Sequence, residues 1–374
     1  MKTTAAPKIL PLTSLRFFAA FMVVIQHTID QPAYTYHFYW WGKFLNMGYA
    51  AVSFFFVLSG YILAVVYLRH DKPVDKQRFW IARFARIYPL YLATLIIDTP
   101  HAFMGRLPTK GFRVAFEHTA ISFTTCLLMA QVWLPKLGGI NFPNWSLSVE
   151  TVFYLVFPWI GVSIWKLNTR QTVLLAASIY VFGLAAVYGM IHADLPYNVI
   201  KFNPIPHLVA FVMGIALARL HTDWLKKPEL KMRLERLALP LILLGVFLLV
   251  VITQYSDRIP YLLMHDGLLV PPFVCLLLAF ASGEHSLARI LSVSWLVVLG
   301  EASYGLYLLH IPLWHIFGLN YLTASPIAYM LYIATALAIS VLSFYFFETP
   351  VRRRILQYFT TPSRESVVTS SMAQ

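Results

Sequence analysis

Arg16 and His27 stand eleven residues apart in a run, residues 12–30, that is otherwise apolar or weakly polar until its last residue, Asp30. At about 100° and about 1.5 Å per residue, they fall on one stripe of a helix, roughly 16 Å apart along its axis. A guanidinium near one membrane face and an imidazole three turns deeper would line a path along which a proton or an anion can be handled. Ionisable groups inside a membrane are costly and usually serve function. The bland alternative has Arg16 snorkelling to the headgroups and His27 capping the outer helix end.

Other segments carry residues of the same kind. Arg83 and Arg86, spaced by three ahead of Pro89, share a helical face at the end of a basic stretch, 69–86, read as an inner loop. Guanidinium forks at a cytoplasmic mouth suit phosphate oxygens, although positive-inside anchoring explains the net charge equally well. Asn144 to Glu150 opens an apolar run at the outer face. This predicts Glu150 about one turn into the membrane, near the depth of His27, with Ser146 at or near the cap. A carboxylate there would orient an imidazole for general-base work; alternatively it only faces a helix N-terminus. Ser59-Gly60 reads as a packing notch or as a place where a slender ligand arm meets the backbone. Ser303, Tyr307 and His310 recur at spacings of four and three and form one polar stripe facing a bundle interior, for interhelical hydrogen bonding or for chemistry.

No close His/Asp/Glu spacing supports a metal site on His27, Glu150 and His310, and no metal is expected. Walker, GxGxxG and GxSxG patterns do not occur. Cys126 and Cys275 are the two cysteines, both in apolar segments, so neither a disulfide framework nor a Cys-type metal site is implied.

The elements that must position these residues are membrane helices. Of 374 residues, 59% are hydrophobic and only 12% charged, at a mean hydropathy of +0.67. A soluble domain carries about 25% charged residues. The net charge of +13 does not point to nucleic acid, because the basic residues sit in short loops between apolar runs. Residues 1–8 and the run after them resemble a signal peptide, but Arg16 interrupts the run and no small-residue cleavage site follows, so an uncleaved helix is expected.

Apolar runs predict spans near 12–30, 46–68, 87–104, 145–165, 171–191, 203–220, 237–254, 261–281, 294–317 and 326–347. The prediction is an all-α polytopic membrane bundle of about ten transmembrane helices with both termini cytoplasmic. The run 115–134 is the ambiguous one. If it does not cross, most Lys and Arg fall on the inner side; if it does, the clusters at 219–236 and 352–354 move outside. It is therefore predicted to be re-entrant or interfacial on the outer side. Residues 1–354 form the membrane domain, and 355–374, rich in Ser and Thr, a flexible cytoplasmic tail. Outer-loop Tyr34, Tyr36, Tyr39, Trp40 and Trp41 suit either an interfacial belt or sugar stacking.

In order along the chain, Arg16 with His27, FFFVLSGY at 54–61, RFARIYP at 83–89, WSLSVE at 145–150, SYGLYLLHIP at 303–312 and ETPVRR at 348–353 resemble the membrane acyltransferase-3 family. Each piece alone is weak; the ordered set is specific and spans nearly the whole chain. The resemblance implies a plasma-membrane O-acyltransferase. It would move an acyl group, commonly acetyl, from cytoplasmic acyl-CoA to a hydroxyl of an extracytoplasmic or lipid-linked polysaccharide.

With no hydrolase-like domain appended, it implies a stand-alone member, similar to those that acetylate exopolysaccharide. Arg16, Arg83 and Arg86 would hold the phosphates of acetyl-CoA, which is a donor substrate rather than a permanently bound cofactor. Its arm would pass Ser59 and Gly60. His27 would act as general base with Glu150 orienting it, and Ser303, Tyr307 or His310 would donate to the oxyanion. Direct transfer and an acyl-histidine intermediate both remain open. The implied partners are membrane lipids, acyl-CoA and a glycan or lipid-linked saccharide, with no nucleic acid. A transporter or flippase without catalysis, and an O-acyltransferase of small molecules, are the alternatives.

Overall fold

The computed structural model describes residues 9–28, 42–43, 47–69, 73–135, 139–282, 285–318 and 325–360. Among them every regular element is helical, as the all-α prediction requires. The principal helices are α1 (Leu10–Thr28), α2 (Gly48–Tyr67), α3 (Lys76–Leu127), α4 (Asn144–Trp165), α5 (Thr169–His192), α6 (Tyr197–Phe202) and α7 (Pro204–Leu225). They continue as α8 (Pro228–Gln254), α9 (Val270–Ser282), α10 (Ser286–Leu291), α11 (Ser294–Phe317), α12 (Pro326–Ser343) and α13 (Thr349–Thr360).

Nine of the described helical stretches are long and apolar enough to cross a membrane. The remaining expected span, 261–281, is interrupted. A single turn, Tyr261–Leu263, passes into a π-helical segment, Met264–Leu268, where Gly267 leaves helical geometry. Only then does α9 run, for 13 residues. That is about 20 Å against a hydrocarbon core of about 30 Å. Pro271 and Pro272 remove backbone donors where the helix restarts.

Two helix pairs are welded by small residues. A Cβ added to Gly60 of α2 would sit 2.0 Å from the Phe211 carbonyl oxygen of α7, and one added to Gly214 of α7 would sit 2.0 Å from the Val57 carbonyl oxygen of α2. Gly300 of α11 meets the Thr13 carbonyl of α1 at the same 2.0 Å. Without a hydrophobic force between helices in lipid, such close backbone packing is what holds them. Of the two roles open to Gly60, this is the packing notch. Its Cβ direction is filled by the backbone of α7.

The basic segment 69–86 is not a loop throughout. From Lys76 it is helix, capped by the Asp75 side chain, which accepts from the Arg78 backbone N–H. Arg83 and Arg86 therefore lie on the rigid first part of α3. At Gly111 (φ 70°, ψ 165°) the chain leaves helical geometry. Residues 112–127 then double back along the arm they came from. Arg106 donates to Thr119 and Ser122, and Tyr91 and Tyr88 donate to the carbonyls of Cys126 and Leu127. The ambiguous run is thus a return arm ending beside Tyr88, well short of Lys76.

In the irregular stretch after it Gln131, Val132, Ile140 and Asn141 are buried, and polar side chains answer part of its backbone. Gln131 Nε2 donates to Tyr91 Oη and to the Asn144 carbonyl, Asp98 accepts from the Asn141 N–H, and Asn141 Nδ2 donates to the Leu308 carbonyl. Non-helical backbone at membrane depth is tolerated only when satisfied in this way. One result is that α4 begins inside the bundle rather than at an outer surface.

The helix after α12 passes through a π-helical segment, Phe344–Glu348, into α13, carrying Arg352, Arg353 and Arg354 to Thr360. The remainder of the expected tail and the aromatic loop at 34–41 lie outside the described residues. If the α2–α7 contact holds the bundle, Gly60→Val should destabilise it by about 1–3 kcal/mol or more, because two backbones must separate. Thermal unfolding in detergent measures this; an unchanged midpoint would show that the contact can open freely.

Candidate active site

Two polar centres lie along α1. At one end the Arg16 guanidinium lies within electrostatic reach of Arg86, Glu301, Glu150 and Tyr154. Glu348 faces Arg86, Arg16 and Glu301, and Arg352 faces Arg86, Arg83 and Glu301. Arg83 lies over the rings of Tyr67, Phe79 and Tyr154 at 5.6, 5.9 and 5.9 Å and donates from Nη2 to Tyr67 Oη. Its Nε is buried and has no hydrogen-bond partner. Arginines and carboxylates from α1, α3, α4, α11 and the α12–α13 junction thus share one centre, and Arg83 keeps a donor unanswered. A bound anion would satisfy it.

Glu150 belongs to this centre, not beside His27. Its Oε1 accepts from Ser59 Oγ at 2.8 Å and from Tyr154 Oη at 2.5 Å. The reason is the buried start of α4. Asn144 already lies inside the bundle, and Glu150, six residues on, sits about 9 Å further along the helix. Ser146 is not a cap; its hydroxyl turns back to the Pro143 carbonyl.

At the other end of α1, His27 Nδ1 meets His310 Nε2 at 2.9 Å, the rings being 14° from coplanar in orientation. The remaining His310 nitrogen, Nδ1, lies 3.3 Å from the Leu306 carbonyl oxygen. A carbonyl can only accept, so His310 Nδ1 carries a proton and its Nε2 offers a lone pair. His27 must then donate from Nδ1. That leaves the His27 Nε2 lone pair unprotonated and available as a base. The group placed against His27 Nδ1 is thus His310, and Glu150 lies against Ser59 and Tyr154 instead.

The rest of the expected stripe is buried with His310 but is already engaged. Ser303 Oγ donates to the Gly300 carbonyl at 2.7 Å. Tyr307 Oη lies 2.6 Å from Ser146 Oγ and 3.2 Å from the Pro143 carbonyl, so it ties α11 to the start of α4. Neither hydroxyl is a free donor aimed at His27. No group of three His, Cys, Asp or Glu among the described residues stands where it could hold a metal.

Several members of the arginine centre went unassigned in the sequence. Tyr154 was legible, four residues from Glu150 on the same helix face. Glu301 and Glu348 could have been found as acids inside apolar runs. Their convergence on Arg16 needed the fold.

An arginine centre that can hold an anion and an imidazole with a free lone pair, joined by one helix through Arg16 and His27, suit group transfer. The model of the acyltransferase-3 family, an acyltransferase domain, matches residues 11–345. The chain belongs to this membrane acyltransferase family. It is 30% identical over 319 residues to acyltransferase MdmB of Streptomyces mycarofaciens, covering 80% of this chain and 77% of that protein. It is 25% identical over 391 residues to O-acetyltransferase OatA of Staphylococcus aureus, covering 96% of this chain but only 60% of that longer protein. No solved structure matches the chain.

Family membership makes the chain an enzyme of acyl transfer, and the dyad geometry specifies what His310 contributes. A His310→Gln variant keeps a side-chain amide that can accept from His27 Nδ1, whereas His310→Phe cannot. Acyl-transfer turnover should fall at least about tenfold more in the Phe variant than in the Gln variant. Equal losses in two well-folded variants would remove the tautomer argument.

Proposed function

We propose that this chain, an O-acyltransferase, moves an acyl group, acetyl foremost, from cytoplasmic acyl-CoA to a hydroxyl of an extracytoplasmic or lipid-linked polysaccharide. The observation that carries this reading is the pairing on α1: Arg16 within the arginine centre, and His27 with a free Nε2 three turns away. Supporting it are the O-acetyltransferase names of longer relatives and the basic residues that cluster at the arginine end. By the positive-inside rule those residues support a cytoplasmic arginine centre and cytoplasmic termini.

In this reading Arg83 Nε, with Arg86 and Arg16, binds the donor's phosphates. The donor's arm runs past Ser59, about 100° round α2 from the Gly60 notch. His27 Nε2 takes the proton of the acceptor hydroxyl as its oxygen attacks the thioester carbon. The C–O bond forms and the C–S bond breaks. The thiolate leaves with the proton carried by His27, which returns to its starting form. Glu150, held by Ser59 and Tyr154, sets the charge of the arginine centre and not that of the base.

Two measurements test this division. His27→Ala should lower acetyl transfer by about 10²- to 10⁴-fold while acetyl-CoA still binds. Replacing Arg83 and Arg86 together by Ala should weaken acetyl-CoA binding at least about tenfold by calorimetry in detergent, since hydrogen bonds to charged groups are typically worth about 1.5–3 kcal/mol each. Full transfer without His27, or full affinity without the arginines, would sink the corresponding half of the proposal.

A further inference from the structure

On the far side of His27 from the arginines, one cation has no part in the scheme above. Lys201, on the short helix α6, holds its Nζ 5.7 Å from the ring centre of Phe142, 5.4 Å from Tyr197, 5.5 Å from Phe202 and 5.3 Å from Tyr261. Its backbone is fixed as well, because His207 Nε2 lies 2.8 Å from the Lys201 carbonyl oxygen. Four rings from three separate segments thus cage a half-buried ammonium, and no carboxylate of the described residues stands within ion-pair distance of it. Ring faces answer a cation only in part. The N–H donors still call for an anionic oxygen.

The cage shares a wall with the base. The Phe142 ring that flanks Lys201 also stands edge-on to His27, at 5.4 Å and 79°. Phe142 is large, apolar and 49% exposed. An exposed aromatic beside a catalytic imidazole suits the C–H face of a sugar ring. Lys201 and His27 are near enough for their charges to interact. A saccharide lying on Phe142 would have one edge at His27 and the opposite edge at Lys201.

We propose that Lys201 and Phe142 form the acceptor subsite, Phe142 carrying the sugar ring and Lys201 binding an anionic group, carboxylate or phosphate, on that acceptor. The proposal rests on the reading that the acceptor hydroxyl meets His27. It deepens that reading by naming an acidic saccharide as the substrate class. A neutral glycan would leave the caged ammonium unanswered at each turnover.

The test is direct binding, so it does not depend on turnover. Affinities of methyl glucuronide, a phosphorylated methyl glucoside and neutral methyl glucoside are measured by calorimetry on the full chain in detergent, for the native protein and for Lys201→Met, Lys201→Arg and Phe142→Ala. The native chain should bind at least one acidic glycoside about tenfold or more tighter than the neutral one. Lys201→Met should collapse that ratio, and Lys201→Arg should keep most of it. Phe142→Ala should weaken all three glycosides together. A preference for the uronate over the phosphate assigns the anion to an acidic sugar; the reverse assigns it to a phosphate linkage.

Equal native affinities for acidic and neutral glycosides would overturn the proposal without needing any variant. So would an acidic preference that survives Lys201→Met. If the acidic glycosides bind as expected but accept no acetyl from acetyl-CoA, the subsite stands and the proposed function fails.

Discussion

A charge buried in hydrocarbon is tolerated only when other groups answer it, and most of this bundle's interior is arranged around that constraint. Arg16, Arg86, Glu150, Glu301 and Glu348 come from five separate stretches of chain and face one another across a single centre. No one helix could carry them alone. Glycine contacts bring the helices close enough for this mutual answering. Gly300 seats α11 on α1, and Gly60 with Gly214 seats α7 on α2. Packing and electrostatics are linked here: loosening the Gly300 contact would draw Glu301 away from Arg16.

The second device is the return arm. By turning back at Gly111 and returning through a partly buried irregular stretch, the chain starts α4 among buried side chains. This shift of α4 delivers Glu150 to the arginines and places Phe142 beside His27. Tyr307 fixes the shift by bonding Ser146 and Pro143 at the start of α4. A residue first considered as an oxyanion donor thus registers one helix against another.

What the sequence made legible follows from periodicity. Arg16 with His27, and Ser303 with Tyr307 and His310, share faces because spacings of three, four and eleven fit a helix, and the structure buries the second set as that argument requires. Apolar run length located nearly every span. Depth was not legible. Hydropathy cannot tell a helix that begins at the surface from one that begins inside, so Glu150 was assigned to the wrong end of α1. Nor can a linear pattern show what fills the space beside Gly60, or that Phe142, Tyr197, Phe202 and Tyr261 converge on Lys201. Those contacts join residues up to 119 positions apart and exist only once the helices are packed.

The separation of the two centres constrains the proposed chemistry. Arg16 and His27 are roughly 16 Å apart along α1. A small acyl phosphate has its anionic group and its reactive carbon almost adjacent. It could occupy the arginines or reach the base, but not both at once. A donor serving both places needs an arm between phosphate and acyl group that spans most of that distance and is slender enough for a packed bundle. A pantetheine thioester has that form. On this view the hydrogen bonds of Ser59 and Tyr154 to Glu150 matter because they hold a carboxylate at the arginine end and away from the thioester end. There it balances the cations without competing with His27 for the acceptor's proton.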